Sequence, residues 1–217
     1  MCPVNKHEAV SYMLGEKGVR KIKEYVEKGG YLFAEDWCME DFVEKAFGKY
    51  VRHGSVRGAD EEIPVLPAPG AMSHPYLKKI FYKGYKPKEG SGTVTEDELK
   101  EVVHTWKIDK ETRTIKVTDK LKVVTLLTSP DLEKYAQGDD AVAVTFAVGG
   151  GDGARPGIST GGAFPQEREK MTGGRVLYVL SHFGKQKSSE DEYSLQNLMI
   201  NFLVEAYARR AKFGKKP

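Results

Sequence analysis

The chain's 217 residues, 40% apolar and 30% charged with a formal net charge of +3, suffice for one substantial core and mix both charge signs, so no acidic partner is demanded. Two cysteines, Cys2 and Cys38, are too few for a disulfide framework and lack zinc-ligand spacing. No run approaches the roughly twenty apolar residues of a membrane-spanning helix.

The opening MCPVNKHEAV has neither the basic segment nor the apolar core of a signal peptide. A soluble chain is expected, cytoplasmic if complete and exported if a leader has been removed. Val19, Ile22, Tyr25 and Val26 recur at helical spacing, and Gly29-Gly30 supplies a left-handed stop. Tyr31 to Ala34 is too short and apolar for an amphipathic helix and predicts a buried strand ending at Glu35-Asp36-Trp37. Phe42, Val43, Ala46 and Phe47 predict a short helix broken at Gly48. The segment IPVLPAPG (63–70) carries three prolines, which cannot donate to a ladder, and predicts a surface loop or edge. Leu77, Ile80 and Phe81, after Ser73-His74-Pro75, predict another short helix.

A polar linker, GYKPKEGSGT, and a Thr95/Glu98 capping box precede TWKID, RTIKV and LKVVTLL, which run in strand fashion around Asp109-Lys110-Glu111-Thr112. Residues 84–128 are therefore expected to form a β-hairpin insertion in a single domain spanning 1–217. AVAVTFAV (141–148) predicts a strand, and a glycine-rich loop occupies 149–162. That loop lacks the Lys-Ser/Thr ending of a P-loop, so a surface loop is the expectation.

GGRVLYVLSHFGKQ (173–186) stops abruptly at Ser181-His182, as a buried parallel strand does when its carboxyl end opens into a ligand crevice. Leu195, Leu198, Met199, Phe202, Leu203 and Ala206 give the buried stripe of a closing helix. The tail cations Arg209, Arg210, Lys212, Lys215 and Lys216 suit a helix C-terminus and have no aromatic stacking platform beside them, so no nucleic-acid partner is expected.

The order of helix, GGYLFAEDW, GGRVLYVLSHFG and closing helix resembles the class I glutamine amidotransferase-like superfamily, in particular uncharacterised prokaryotic domains of unknown function. The resemblance covers Val19 to Phe47 and Gly173 to Ala206. It implies an α/β fold with an open, mostly parallel sheet flanked by helices in Rossmann-like, flavodoxin-like layering. It also implies a cysteine on a strand-to-helix elbow and a histidine at a later strand end, which Cys38 and His182 approach in position. An elbow needs small flanking residues, whereas Asp36-Trp37-Cys38-Met39-Glu40 supplies bulky and charged ones, so Cys38 reads as a small core residue.

Candidate chemistry therefore centres on Asp36, His182 and Glu35, which share one rim if their two strands are parallel neighbours. Asp36 as a helix cap and His182 as a loop anchor are the structural alternatives. His74, Ser181, Lys185 and Gln186 are candidate binding residues. No cofactor is expected, although a divalent metal fits the carboxylate and imidazole types without a closely spaced ligand motif. The first hypothesis is a non-catalytic ligand-binding or assembly module for a small molecule or protein. The second is a hydrolase using Glu35, Asp36 and His182, with or without a metal.

Overall fold

The computed structural model describes residues 10–81, 104–135, 138–149 and 173–213. Helix α1 (Val10–Glu27) breaks at Gly15 and ends at the predicted stop. Gly29, at φ 101°, donates to the Val26 carbonyl (3.0 Å), and Gly30 donates to Tyr25 (2.9 Å), closing the last turn. Val19 and Val26 are buried, while Tyr25 is exposed. Strand β1 (Tyr31–Glu35) follows, then a π-helical turn (Met39–Val43) that runs into helix α2 (Glu44–Phe47).

The remaining elements are β2 (Val51–Val56), β3 (Glu61–Pro67), a 3-10 turn at Pro75–Leu77, β4 (His104–Ile108), β5 (Arg113–Val117), β6 (Val123–Thr128), α3 (Pro130–Tyr135), β7 (Ala141–Val148), β8 (Gly174–Val179) and α4 (Ser189–Phe213). Six strands form one sheet in the order β1-β8-β7-β6-β3-β4, and β2 pairs with β5 separately.

This corrects the open, mostly parallel architecture. Among the described residues only β1 and β8 are parallel, and the other four pairings of the large sheet are antiparallel. Parallel neighbours need a long crossover, but β6 and β7 are joined by a short helix and turn, which returns the chain in the opposite direction. The apolar run of β7 is explained by cover on a central strand. Phe47 and Tyr50 lie against Phe146, at ring-centroid distances of 5.9 and 4.6 Å.

The hairpin expected between TWKID and RTIKV is also absent. β4 pairs with β3, and β5 pairs with β2. The segments β2–β3 and β4–β5 are the two arms of one long antiparallel ribbon that bends at Arg57–Asp60 and Asp109–Thr112. Arg57 N–H donates to the Thr112 carbonyl (3.0 Å) and Glu111 N–H to the Arg57 carbonyl (2.8 Å), so pairing continues around the corner. Glu111 takes φ 69° there, and Arg57 is ion-paired with Glu61.

IPVLPAPG likewise contributes a strand, with most of its length ordered as β3. Prolines are tolerated because β3 meets β6 only at Leu66 and Pro67, leaving that side unpaired for most of the strand. Residues 77–81 hold no helix beyond the 3-10 turn. The Thr95/Glu98 box, the linker 84–93 and most of the glycine-rich loop lie outside the described residues.

Helix α4 packs Phe202 against Tyr31 and Tyr76 and accepts the Trp106 indole N–H at Ser194 Oγ (2.8 Å). Its buried stripe is Leu195, Leu198 and Phe202; Leu203 is exposed. The first turn of α4 and the loop before it also shield the outer edge of β4. Asp191 accepts Thr105 N–H (3.0 Å), and Gln186 accepts Lys107 N–H (2.8 Å), satisfying groups that would otherwise invite another strand. No helix among the described residues is long and apolar enough to cross a membrane.

Candidate functional site

Strands β1 and β8 run side by side, with Tyr31 to Glu35 in register with Arg175 to Val179. Because they are parallel, the residues that follow them emerge at one rim of the sheet. The first residue after β1, Asp36, takes φ 51°, a left-handed conformation that Asp tolerates better than most residues. Its N–H still donates to the Val179 carbonyl (2.9 Å), and its own carbonyl accepts the Tyr178 hydroxyl (2.5 Å). The turn is thus anchored from both sides.

The Asp36 side chain is fully buried and bridges two segments. One oxygen accepts the Thr112 hydroxyl (2.5 Å), and the other lies 3.0 Å from His182 Nδ1. With that carboxylate against Nδ1, the ring carries a proton on that nitrogen. The alternative role of Asp36 as a helix cap is not what its side chain does. Only its backbone carbonyl reaches the following turn, at Met39 N–H (3.4 Å).

The third wall is the ribbon corner, which sequence reasoning treated as an ordinary turn. Asp109 is buried there, with one oxygen 3.0 Å from Lys107 Nζ and the other bound by Lys185 Nζ. Burial pushes its carboxyl up, but the two ammonium groups outweigh this and hold it below the ordinary range. Lys107 also reaches Asp60 (3.1 Å), and these carboxylates raise its own pKa. Lys185 lies 4.9 Å from the centre of the Trp37 ring, whose indole N–H donates to the Lys110 carbonyl (3.3 Å). His182 sits beside the same ring, with centroids 6.4 Å apart.

Glu35 joins the rim from below. It accepts Phe183 N–H (3.1 Å), and burial raises its carboxyl pKa, with the Phe183 amide and His182 offsetting part of the effect. Ser181 and Gln186 act as a brace. The Ser181 hydroxyl donates to the Lys107 carbonyl (2.6 Å), while Gln186 donates to Ser181 Oγ (2.8 Å) and the His182 carbonyl (2.9 Å). Glu192 accepts Gly184 N–H and fixes the loop between.

Two candidates stand apart from the rim. His74 caps the 3-10 turn by accepting Tyr76 N–H (3.2 Å), and its electrostatic neighbours are Arg175, at the opposite end of β8, and Glu205. Burial lowers its pKa to about 4. Cys38 is completely buried at the start of the π-helical turn, and the left-handed residue is Asp36, two positions earlier. An elbow that strains and exposes its nucleophile is therefore not formed at Cys38.

Ligand atoms of Asp36, Asp109 and His182 lie within 4.8 Å of one another, a spacing compatible with a metal ion. Their chemistry argues for a different charge balance. Both Asp36 oxygens are engaged by Thr112 and His182, and both Asp109 oxygens by lysines. A cation would have to displace the ammonium groups already paired with Asp109.

A scan against protein-family models gives no match, and no curated protein matches the sequence.

Proposed function

We propose that this chain is a ligand-binding domain whose site is the rim at the carboxyl ends of β1 and β8. His182 and Lys185 face the ligand there, while Asp36, Thr112 and Asp109 hold them in place. The observation that carries this reading is the 3.0 Å contact between His182 Nδ1 and a buried carboxylate that is itself fixed by the Thr112 hydroxyl. Such a backing orients an imidazole at a partly open surface, as a recognition group requires.

An ammonium, an imidazole that donates from Nε2 in its charged form, and the flat face of Trp37 favour a small planar anion. Trp37 is also a convenient reporter, since Trp106, the other tryptophan, is buried away from the rim. Titration with benzoate and with acetate should give saturable fluorescence change with at least one probe. Binding should weaken about tenfold or more in His182→Ala and Lys185→Ala. No saturable response to either probe, or equal affinity in the variants, would defeat the proposal.

A hydrolase is the second reading, favoured by the same Asp36–His182 geometry, which matches an oriented general base. Turnover of p-nitrophenyl acetate that is lost in His182→Gln and in Asp36→Asn would support it. Stimulation by added Mg²⁺ or Mn²⁺ would distinguish a metal-assisted route.

A further inference from the structure

We infer that the outer face of α4 is a self-association surface on which a second copy of this chain docks its own α4 in antiparallel orientation. Tyr193, Ile200 and Tyr207 recur every seven residues and so share one helix face. Leu203 and Val204 fill the interval on that side. All five are exposed, Tyr207 at 76% and Val204 at 61%, whereas Leu195, Leu198 and Phe202 on the other side are buried in the chain's own core. A 25-residue helix thus uses one apolar stripe internally and presents a second outward. Scattered exposed apolar residues are ordinary, but a continuous stripe is a contact surface.

The charge distribution selects the occupant. Among the described charged residues at its two ends, Glu190 in the first turn and Arg210 at the far end are the exposed ones, whereas Asp191 and Glu192 are held by Thr105 and Gly184 and Arg209 lies over the Tyr31 ring. Two copies crossing antiparallel near Ile200 place Tyr193 and Tyr207 symmetrically about the crossing. They also bring the acidic end of each helix to the basic end of the other. A parallel pair would oppose like charges at both ends. The antiparallel arrangement is isologous, so the same surface serves both copies. A helix-on-helix contact of this size is at the lower end of specific interfaces, about 1,200 Å² in total, which sets a dissociation constant on the order of micromolar.

Sedimentation velocity of the whole chain between about 1 and about 300 µM, bracketing that constant, tests the inference. A reversible monomer–dimer equilibrium is expected. Ile200→Lys and Val204→Lys should weaken it roughly tenfold or more. Circular-dichroism melts at low concentration should remain unchanged, because both side chains are exposed in the monomer. Glu190→Arg and Arg210→Glu should each weaken it roughly fivefold, and the double variant, which exchanges the charges of the two ends, should recover the lost affinity. A chain that stays monomeric throughout overturns the inference, whether the stripe is then bare or covered by another part of the same chain. So does a dimer indifferent to the lysine substitutions. Failure of the double variant to recover overturns the antiparallel orientation.

Discussion

Asp36 offers the sharpest test of how the rim is held, because one side chain combines a left-handed backbone, complete burial and two hydrogen bonds to distant segments. Asp36→Ala removes the acceptor for a fully buried Thr112 hydroxyl and for a partly exposed His182 ring, at about 1–3 kcal/mol for the first and less for the second. It also places alanine in the left-handed region, at about 1 kcal/mol. A loss of about 3–5 kcal/mol is expected from urea unfolding. Asp36→Gly loses the same bonds without the backbone penalty and should be about 1 kcal/mol less damaging. Asp36→Asn keeps the shape and tolerates the backbone, and should cost about 1–2 kcal/mol as a charge-assisted bond becomes neutral.

That last variant has a second readout. Thr112 is buried and needs its acceptor, so the asparagine carbonyl must stay on Thr112 and the amide NH₂ must face His182. The ring then accepts at Nδ1 and carries its proton on Nε2, reversing the native tautomer. Long-range ¹H–¹⁵N correlation spectra distinguish the two forms. An unchanged tautomer in Asp36→Asn, together with a stability loss below about 0.5 kcal/mol, would show that the carboxylate does not orient the ring.

Three further outcomes follow from the same geometry. Glu35 has a raised pKa, so the folded state binds its proton more tightly than the unfolded chain. Its contribution favours folding in acid and is lost as pH rises from the unfolded value near 4.5 through the folded one, so Glu35→Gln should stabilise the chain at pH 7 and be close to neutral below about pH 4 in urea titrations. A Cβ at Gly174 would lie 1.9 Å from the Gly30 carbonyl oxygen and 2.3 Å from that of Val26. Neither can rotate away, so Gly174→Ala should lower Tm by roughly 5–10 °C, while Gly58→Ala, with open space around it, should be nearly silent in calorimetry. Cys38→Ala should cost about 1 kcal/mol as a small cavity and leave probe binding at the rim intact, whereas loss of binding in a folded variant would return the thiol to the site.

The parts of this site that the sequence makes legible are those with a local cause. Tyr31 to Ala34 and Arg175 to Leu180 are too apolar to end in solvent, and each stops at polar residues. Their tips, Glu35-Asp36 and Ser181-His182, were therefore visible as rim candidates before their strands were placed side by side. Asp109 and Thr112 have no comparable signal. They sit in a polar turn between two strand-like runs, a pattern that reads equally well as the loop of a hairpin, and Thr112 meets Asp36 across 76 residues of sequence. The choice between hairpin and bent ribbon depends on β2 and β3 supplying the partners, which is a property of the whole topology. The outward stripe on α4 was partly hidden for a related reason. Leu203 satisfies helical periodicity with the core residues yet points to the other side, because apolar residues on both faces make the buried stripe ambiguous.

The single parallel pair explains why the polar residues converge where they do. Along an antiparallel sheet, consecutive strand ends can be consumed by tight connections, which leave little room for side chains from elsewhere. β1 and β8 instead both discharge chain at the same edge and lead to different elements, the π-helical turn and α4, so two loops diverge from adjacent points. The ribbon corner closes the gap between them, and its Asp109 takes up Lys185 from one loop while its Thr112 takes up Asp36 from the other. Charges that would be costly singly in this half-buried setting become tolerable as linked pairs. On the proposed reading an incoming anion competes with Asp109 for an ammonium already held beside Trp37. Lys107 then stays on Asp109 while Lys185 turns to the ligand, so the buried carboxylate keeps a partner throughout.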